Sequence, residues 1–440
     1  MSLAIGSSSN PQPSPAPERP YGVVYTWGKG EDCLGLPAKK LDNSKICPFP
    51  TRVPLLNHVV QVDCGESCTA AVTFEGHLYI WGSGHGGRLG FGNENDVSQP
   101  TQLLGPLRDK VVVQVSVGEN HVACLTSDGH VYAWGNGYKG ALGDGNLSSH
   151  KQMVPKIVNK SDGIPLDHIV KIDCSYQNSA AITDEGELFV WGSSDNYKLG
   201  LGSNESVSTP KKIENLPPVK AISLGSAYSG AVTTDGQLYM WGFGKAGNLG
   251  VGTRETLRIP TLVDKLAGER IASISCTRNQ IHLKNDADVE GKENPHSFAV
   301  TEDGKIFSFG TSHKGILGNL KNKALRPIGC DELVPYHIGG QSRDKTNHED
   351  TEYFKGTQVV QAVASSIHSA VLADGKVFSF GCGSDGRMGV HQYMDGLHGG
   401  RDRLKCYVSV PTTVENLKDK EVLQIASSRR HMCALVKEEK

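Results

Sequence analysis

No stretch of this 440-residue sequence approaches the roughly 18 consecutive apolar residues of a membrane-spanning helix, and its 38% hydrophobic content suits a water-soluble globular chain. It has almost no net charge, with 45 Lys and Arg against 47 Asp and Glu. Nothing global draws it onto a polyanion, so direct nucleic-acid binding is not expected and a charged partner must be met locally. The eleven cysteines are odd in number and form no paired CxxC clusters. Neither a disulfide framework nor a zinc site is expected from them, and reduced thiols are. The N-terminus lacks the apolar core of a signal peptide and the Arg-rich pattern of a transit peptide, which predicts a cytoplasmic or nuclear, non-secreted protein. Catalytic signatures are missing too: there is no G-x-S-x-G elbow and no GxxxxGK(S/T) phosphate loop. No catalytic residue, cofactor or small-molecule substrate is expected.

Glycine, in contrast, is abundant, 52 of 440 residues against a usual share of about 7%, while proline is ordinary. That excess points to many tight turns, and self-similarity is the first thing to seek in such a chain. Trp-Gly or Phe-Gly is followed eight residues later by Leu-Gly or Met-Gly, and this recurs seven times. The aromatic positions are Trp27, Trp81, Trp134, Trp191, Trp241, Phe309 and Phe380, and the paired glycines are Gly35, Gly90, Gly143, Gly200, Gly250, Gly318 and Gly389. Only the first copy is one residue short. The unit is about 50 residues long, lengthened in the last two intervals, and all five tryptophans are spent on it.

Before each motif lie apolar runs joined by a turn. Residues 111 to 117 alternate as a strand should, residues 121 to 126 form a second strand, Asp128-Gly129 turns the chain, and residues 130 to 134 form a third. Glu75-Gly76, Glu185-Gly186, Asp235-Gly236, Asp303-Gly304 and Asp374-Gly375 repeat that turn. Asp-Gly between alternating apolar runs is a hairpin signal, because glycine accepts the positive φ of a tight primed turn. Each unit is thus a small antiparallel sheet that cannot bury both faces alone, so the seven must stack. The termini indicate how. Residues 423 to 436 supply two strands of an eighth, partial unit, and residues 22 to 28 match its missing third. Pairing residues 434 to 436 with 23 to 25 closes a ring, so the expected fold is an all-β, seven-bladed β-propeller over residues 21–440. Residues 1–20, Ser- and Pro-rich, are expected to form a disordered tail.

The ordered copies of Gly-x-x-His, hairpin, Trp-Gly and Leu-Gly closely resemble the regulator of chromosome condensation repeat family, over residues 21 to 437. Fold likeness alone carries little about function. The aromatics and glycines read as architecture, and Cys64, Cys174 and Cys276, at one repeat position, as small core residues. The Gly-x-x-His position holds Cys68, His121, Asn178, Tyr228, His296, His368 and His431. Sevenfold symmetry sets these on comparable loops but keeps non-adjacent copies apart, so no metal site is expected; each histidine either bonds its own loop or faces a partner. Insertions are the more informative departures: residues 282–295, acidic through Asp286, Asp288, Glu290 and Glu293; residues 319–356, with Tyr336, Tyr353 and Phe354; and residues 391–407, with Arg401, Arg403 and Lys405. The last, with Arg429 and Arg430, forms a candidate basic patch. His391, Asp395 and His398 are too weak a set to support a metal.

One activity that the resemblance implies is guanine-nucleotide exchange on the small GTPase Ran, with acidic and histidine residues of the Gly-x-x-His loops facing the GTPase. Glu119 and His121 fit that pattern. The next loop, residues 175–178, has no acid or histidine, and residues 134–143 lack an inserted wedge. A UV-B photoreceptor version is tryptophan-rich on one face, whereas here every Trp serves the repeat. The expected function is a non-catalytic protein-interaction propeller, a scaffold or adaptor in small-GTPase, ciliary or cytoskeletal regulation, with Ran-type exchange as the alternative. Its candidate partner-binding residues are Glu119, His121, His296, His368, His431, Arg401, Arg403, Arg429 and Arg430.

Overall fold

In the computed structural model, residues 20–30, 32–278, 294–318, 331–338, 354, 356–390 and 407–438 are described. Among them every regular element is a β-strand or a short 3-10 turn. The chain opens with β1 (Gly22–Lys29) and β2 (Ile46–Arg52). Blade one is β3 (Val59–Cys64), β4 (Cys68–Thr73), β5 (Leu78–Gly82) and β6 (Val97–Gln102), and blade two is β7 (Val112–Val117), β8 (His121–Thr126), β9 (Val131–Asn136) and β10 (Lys151–Ile157). Blade three comprises β11 (Ile169–Cys174), β12 (Asn178–Thr183), β13 (Leu188–Gly192) and β14 (Val207–Lys212); blade four comprises β15 (Val219–Leu224), β16 (Tyr228–Thr233), β17 (Leu238–Gly242) and β18 (Leu257–Leu262). Blade five contains β19 (Ile271–Cys276), β20 (His296–Thr301), β21 (Ile306–Gly310) and β22 (Glu332–His337), and blade six β23 (Val359–Ala364), β24 (His368–Ala373), β25 (Lys376–Cys382) and β26 (Tyr407–Thr413). Last come β27 (Val422–Ser427) and β28 (His431–Lys437).

The seventh blade is assembled from both chain ends. β1 pairs antiparallel with β28 from Gly22 opposite Lys437 to Gly28 opposite His431, and β2 pairs with β1 on its other side. Val23 faces Val436 and Tyr25 faces Ala434, the pairing read from the sequence. The fold is an all-β propeller. Most of the expected insertions 282–295, 319–356 and 391–407, with Arg401, Arg403 and Lys405, lie outside the described residues, as do residues 1–19.

The second strand of each complete blade is buried from end to end. Both of its faces meet a neighbouring blade, which is why these strands are rich in Ala, Ser and Thr rather than alternating. The hairpin turns differ in one respect from expectation. Only Asp374-Gly375 has both residues at positive φ, 47° and 72°, as a two-residue primed turn requires. In the other five only the glycine does; Gly76 N–H, for example, donates to Thr73 O at 2.9 Å, a type I turn followed by a left-handed glycine. Threonine explains the preference: Thr73 Oγ1 accepts from His77 N–H, and Thr126 Oγ1 donates to Asp128, supporting the longer turn from within.

Spacing between the aromatic and the paired glycine is set across blades. Gly35 has φ +66°, and a Cβ there would sit 2.7 Å from Trp81 Nε1 in the next blade. The other paired glycines lie against Trp134, Trp191, Trp241, Phe309, Phe380 and, closing the ring, Gly389 against Trp27. All seven aromatics are fully buried. Each tryptophan also donates its Nε1–H to a carbonyl of the preceding blade, as Trp81 does to Cys33 O at 2.9 Å and Trp27 to Arg387 O at 2.9 Å.

The innermost strands β3, β7, β11, β15, β19, β23 and β27 surround the ring axis, and each is stitched to the next by a side chain that replaces a strand partner. Gln61 donates to Val115 O (2.9 Å) and accepts from Val115 N–H (2.8 Å). Gln114 does the same with Ile172, Gln361 with Ile425, and Gln424 with Val62. Two residues on from the glutamine position, Asp63, Ser116, Asp173, Ser223 and Ser275 accept from backbone N–H groups of Val117, Cys174, Leu224, Cys276 and Ala364. Every seam thus has at least one such clamp, and the two seams of blade seven depend on Gln361 and Gln424.

Candidate functional site

Two loop sets share one face of the ring: the Gly-x-x-His loops between first and second strands, and the loops after each Trp-Gly or Phe-Gly. They are joined by backbone bonds such as Ser83 N–H to Ser67 O and Asn136 N–H to Asn120 O, 2.8 and 2.9 Å. The four histidines do not point out of this face. His121 Nε2 lies 2.8 Å from Ser179 Oγ in blade three, His296 Nε2 2.8 Å from Ser369 Oγ in blade six, His368 Nε2 3.0 Å from Ser427 Oγ in blade seven, and His431 Nε2 3.1 Å from Thr69 Oγ1 in blade one. All four rings are buried. Burial pushes the pKa of His121, His296 and His431 down to about 4 and that of His368 well down as well. The expectation that these rings meet a partner is therefore corrected: they are neutral seam residues, because the repeat places them where a bridge to the next blade is the available partner. Their own loops supply further bonds at His296 and His431, where Asn294 O and Ser428 Oγ lie 2.7 and 2.8 Å from Nδ1.

What the face does expose differs by blade. Glu66, Glu119 and Tyr176 are half-exposed on the loops of blades one to three, and Tyr138 is exposed beside them. Burial first and then the carboxylate of Glu119 push the Tyr176 phenol up, with Tyr138, Asp195 and Glu66 adding to the effect, so these groups form one electrostatic neighbourhood. Beneath it Lys198 is buried, its Nζ 5.7 Å from the Tyr176 ring centroid and 3.0 Å from Ser226 O in blade four. Burial brings this amine down to about 8. Arg88 and Arg387 occupy the same repeat position and donate to Glu119 O and Arg429 O in the next blade, at 2.9 and 2.6 Å. These cations brace the loops that bear Glu119 and Arg429.

Arg430 is exposed and Arg429 half-exposed, with the backbone of their loop fixed by Arg387 and by Lys29 N–H to Arg430 O at 2.9 Å. Blade seven adjoins blade one, so an arginine loop stands next to the glutamate loops. Among the described residues no group of three His, Cys, Asp or Glu side chains could hold a metal, and the nine described cysteines form no disulfide and are buried. No described helix is long and apolar enough to cross a membrane.

Sequence reasoning did not single out the buried cations Arg88, Lys198 and Arg387, although a charge just before Leu-Gly or Met-Gly is visible in three copies. It also passed over Asp63 and Asp173, the carboxylates of the inner strands β3 and β11, and Arg278, which binds both.

Seven blades, aromatic-glycine seams between them and two loop sets on one face define a seven-bladed repeat propeller. The chain belongs to the RCC1 family: the RCC1-like domain model matches residues 19–289 and the regulator of chromosome condensation (RCC1) repeat model residues 374–435. It is 36% identical over 208 residues to the human E3 ubiquitin-protein ligase HERC2, a stretch that is 47% of this chain but 4% of that protein. It is 29% identical over 418 residues to the ultraviolet-B receptor UVR8 of Arabidopsis thaliana, covering 94% of this chain and 70% of the receptor. Among solved structures it is similar to Prp20p from Saccharomyces cerevisiae, described together with that protein's binding to Gsp1p and histones; the TM-score is 0.75 at 21% identity, over 96% of this chain and 93% of Prp20p. That last likeness is one of fold.

Proposed function

We propose that this chain is a non-catalytic protein-interaction propeller, a scaffold or adaptor in the cytoplasm or nucleus, whose partner meets the face bearing the Gly-x-x-His loops. One observation carries the reading: that face combines outward Glu66, Glu119, Tyr138 and Tyr176 on blades one to three with Arg429 and Arg430 on blade seven, while buried cations brace the loops behind them. Tyrosine and arginine on a rigid support are the residue types that dominate interface energetics. Within the expected insertion 319–356, residues 332–337 are instead strand β22 of blade five and Phe354 is a core residue. The remaining candidates for a wider partner surface are the departures from the repeat at 282–293, 319–330, 339–353 and 391–406, with Arg401 and Arg403, which lie outside the described residues. The test is a partner isolated with the full chain. The double variant Tyr176→Ala, Arg430→Glu should weaken it by roughly tenfold or more with unchanged circular dichroism and melting; equal affinity would sink the assignment of this face.

Exchange on a Ran-type small GTPase is the second reading, favoured by Glu119 standing on an accessible, braced loop. Against it, residues 134–143 run through the single 3-10 turn Tyr138–Gly140 without an inserted wedge. Release of labelled GDP from purified Ran separates the two. Acceleration that is lost in Glu119→Ala would establish exchange, and no acceleration at micromolar protein would remove it.

A further inference from the structure

Arg278 leaves the end of β19 in blade five and reaches into the central channel. Its guanidinium bonds both carboxylate oxygens of Asp63, at 2.9 and 3.0 Å, and also Asp173. Those two acids belong to blades one and three, so this contact ties together blades that are not neighbours. The acids are held independently of the arginine. Asp63 accepts from Val117 N–H at 2.9 Å, and Asp173 accepts from Leu224 N–H at 2.6 Å and from Ser116 Oγ at 3.4 Å. Their side chains are 10% and 6% exposed, whereas that of Arg278 is 28% exposed. The carboxylates are thus fixed by rigid inner strands, and the side chain of the cation between them keeps contact with solvent.

Two poorly hydrated carboxylates facing one space cannot both stay ionised without a cation between them. The arrangement also selects its cation. A planar fork of N–H donors can serve two carboxylates at once, which a single ammonium does less well. We propose that Asp63 and Asp173 form a preformed receptor for a guanidinium group, filled from within the chain by Arg278, and that an exposed arginine of a protein partner is the ligand able to exchange with it. The exchange half rests on the reading of this propeller as a protein-binding module; the receptor does not.

Full-length Arg278→Ala, which vacates the receptor, should melt on the order of 5 °C below the wild type. Millimolar methylguanidinium should restore that loss saturably, while tetramethylammonium at equal ionic strength should not. The wild type, its receptor filled, should gain nothing, and the triple variant carrying Arg278→Ala, Asp63→Asn and Asp173→Asn should not respond. Absence of saturable recovery in the single variant, or equal recovery in the triple, overturns the receptor. If the single variant is obtained only unfolded, a refolding yield raised by methylguanidinium and not by tetramethylammonium supports the receptor, and equal yields in the two salts overturn it. N-acetyl-arginine amide, set against its citrulline counterpart, then tests exchange: rescue by methylguanidinium alone keeps the receptor and overturns access by a partner's arginine.

Discussion

Single residues carry the seams, and their contributions can be separated. Trp81→Phe removes the bond to Cys33 O and keeps the ring, as Phe309 and Phe380 do naturally, so a loss of about 1 kcal/mol is expected in chemical denaturation. Gly35→Ala should cost more, since it imposes a Cβ at φ +66° and drives it against Trp81; a variant as stable as the wild type would refute the seam geometry. The buried histidines give a pH signature. Their folded pKa lies below the ordinary 6.5, at about 4 for His121, His296 and His431, so the unfolded chain takes up protons first. Stability is full above about pH 6.5 and falls as pH drops towards 4, by up to roughly 3 kcal/mol per histidine. A triple His→Gln variant should flatten that part of the melting curve against pH. The recurrence of these histidines was legible in the sequence, but their burial was not, because it depends on the blade that follows.

Among the elements, the inner strands depend on side-chain clamps where no backbone partner exists. Gln424→Leu removes both bonds to Val62 at a seam with no clamp at the Asp63 position, because Ala426 stands there. A loss of about 2 kcal/mol is expected, together with faster hydrogen exchange at the Val62 amide. Gln61→Leu should cost less, since Asp63 still holds Val117 in the same seam. Equal costs at the two sites would show that the clamps do not act seam by seam. Strand positions and Asp-Gly hairpins were readable from alternation, since that pattern is local. The turn type was not, because Thr73, Thr126 and their equivalents favour a longer turn from inside the hairpin.

For the whole molecule, closure between β1 and β28 joins seven short sheets into one cooperative body. A chain ending at residue 428 should lose cooperative unfolding, since β1 would be left with an open edge. A circular permutant joining residue 438 to residue 20 and cut at Glu185-Gly186 should fold and melt near the wild type, because the ring does not depend on where it is opened. Failure of that permutant would show that the order of the blades matters to the fold. The sequence by itself determined the repeat, the number of blades, the closing strands and the family, because these follow from residue spacing along one chain. Only the tertiary structure decided that the histidines are seam residues, that Arg88 and Arg387 brace the loops of Glu119 and Arg429 while buried Lys198 bonds Ser226, and that Arg278 meets Asp63 and Asp173 across the channel. Those contacts join residues tens to hundreds of positions apart, and the curvature of the ring, which no local pattern encodes, brings them within bonding distance.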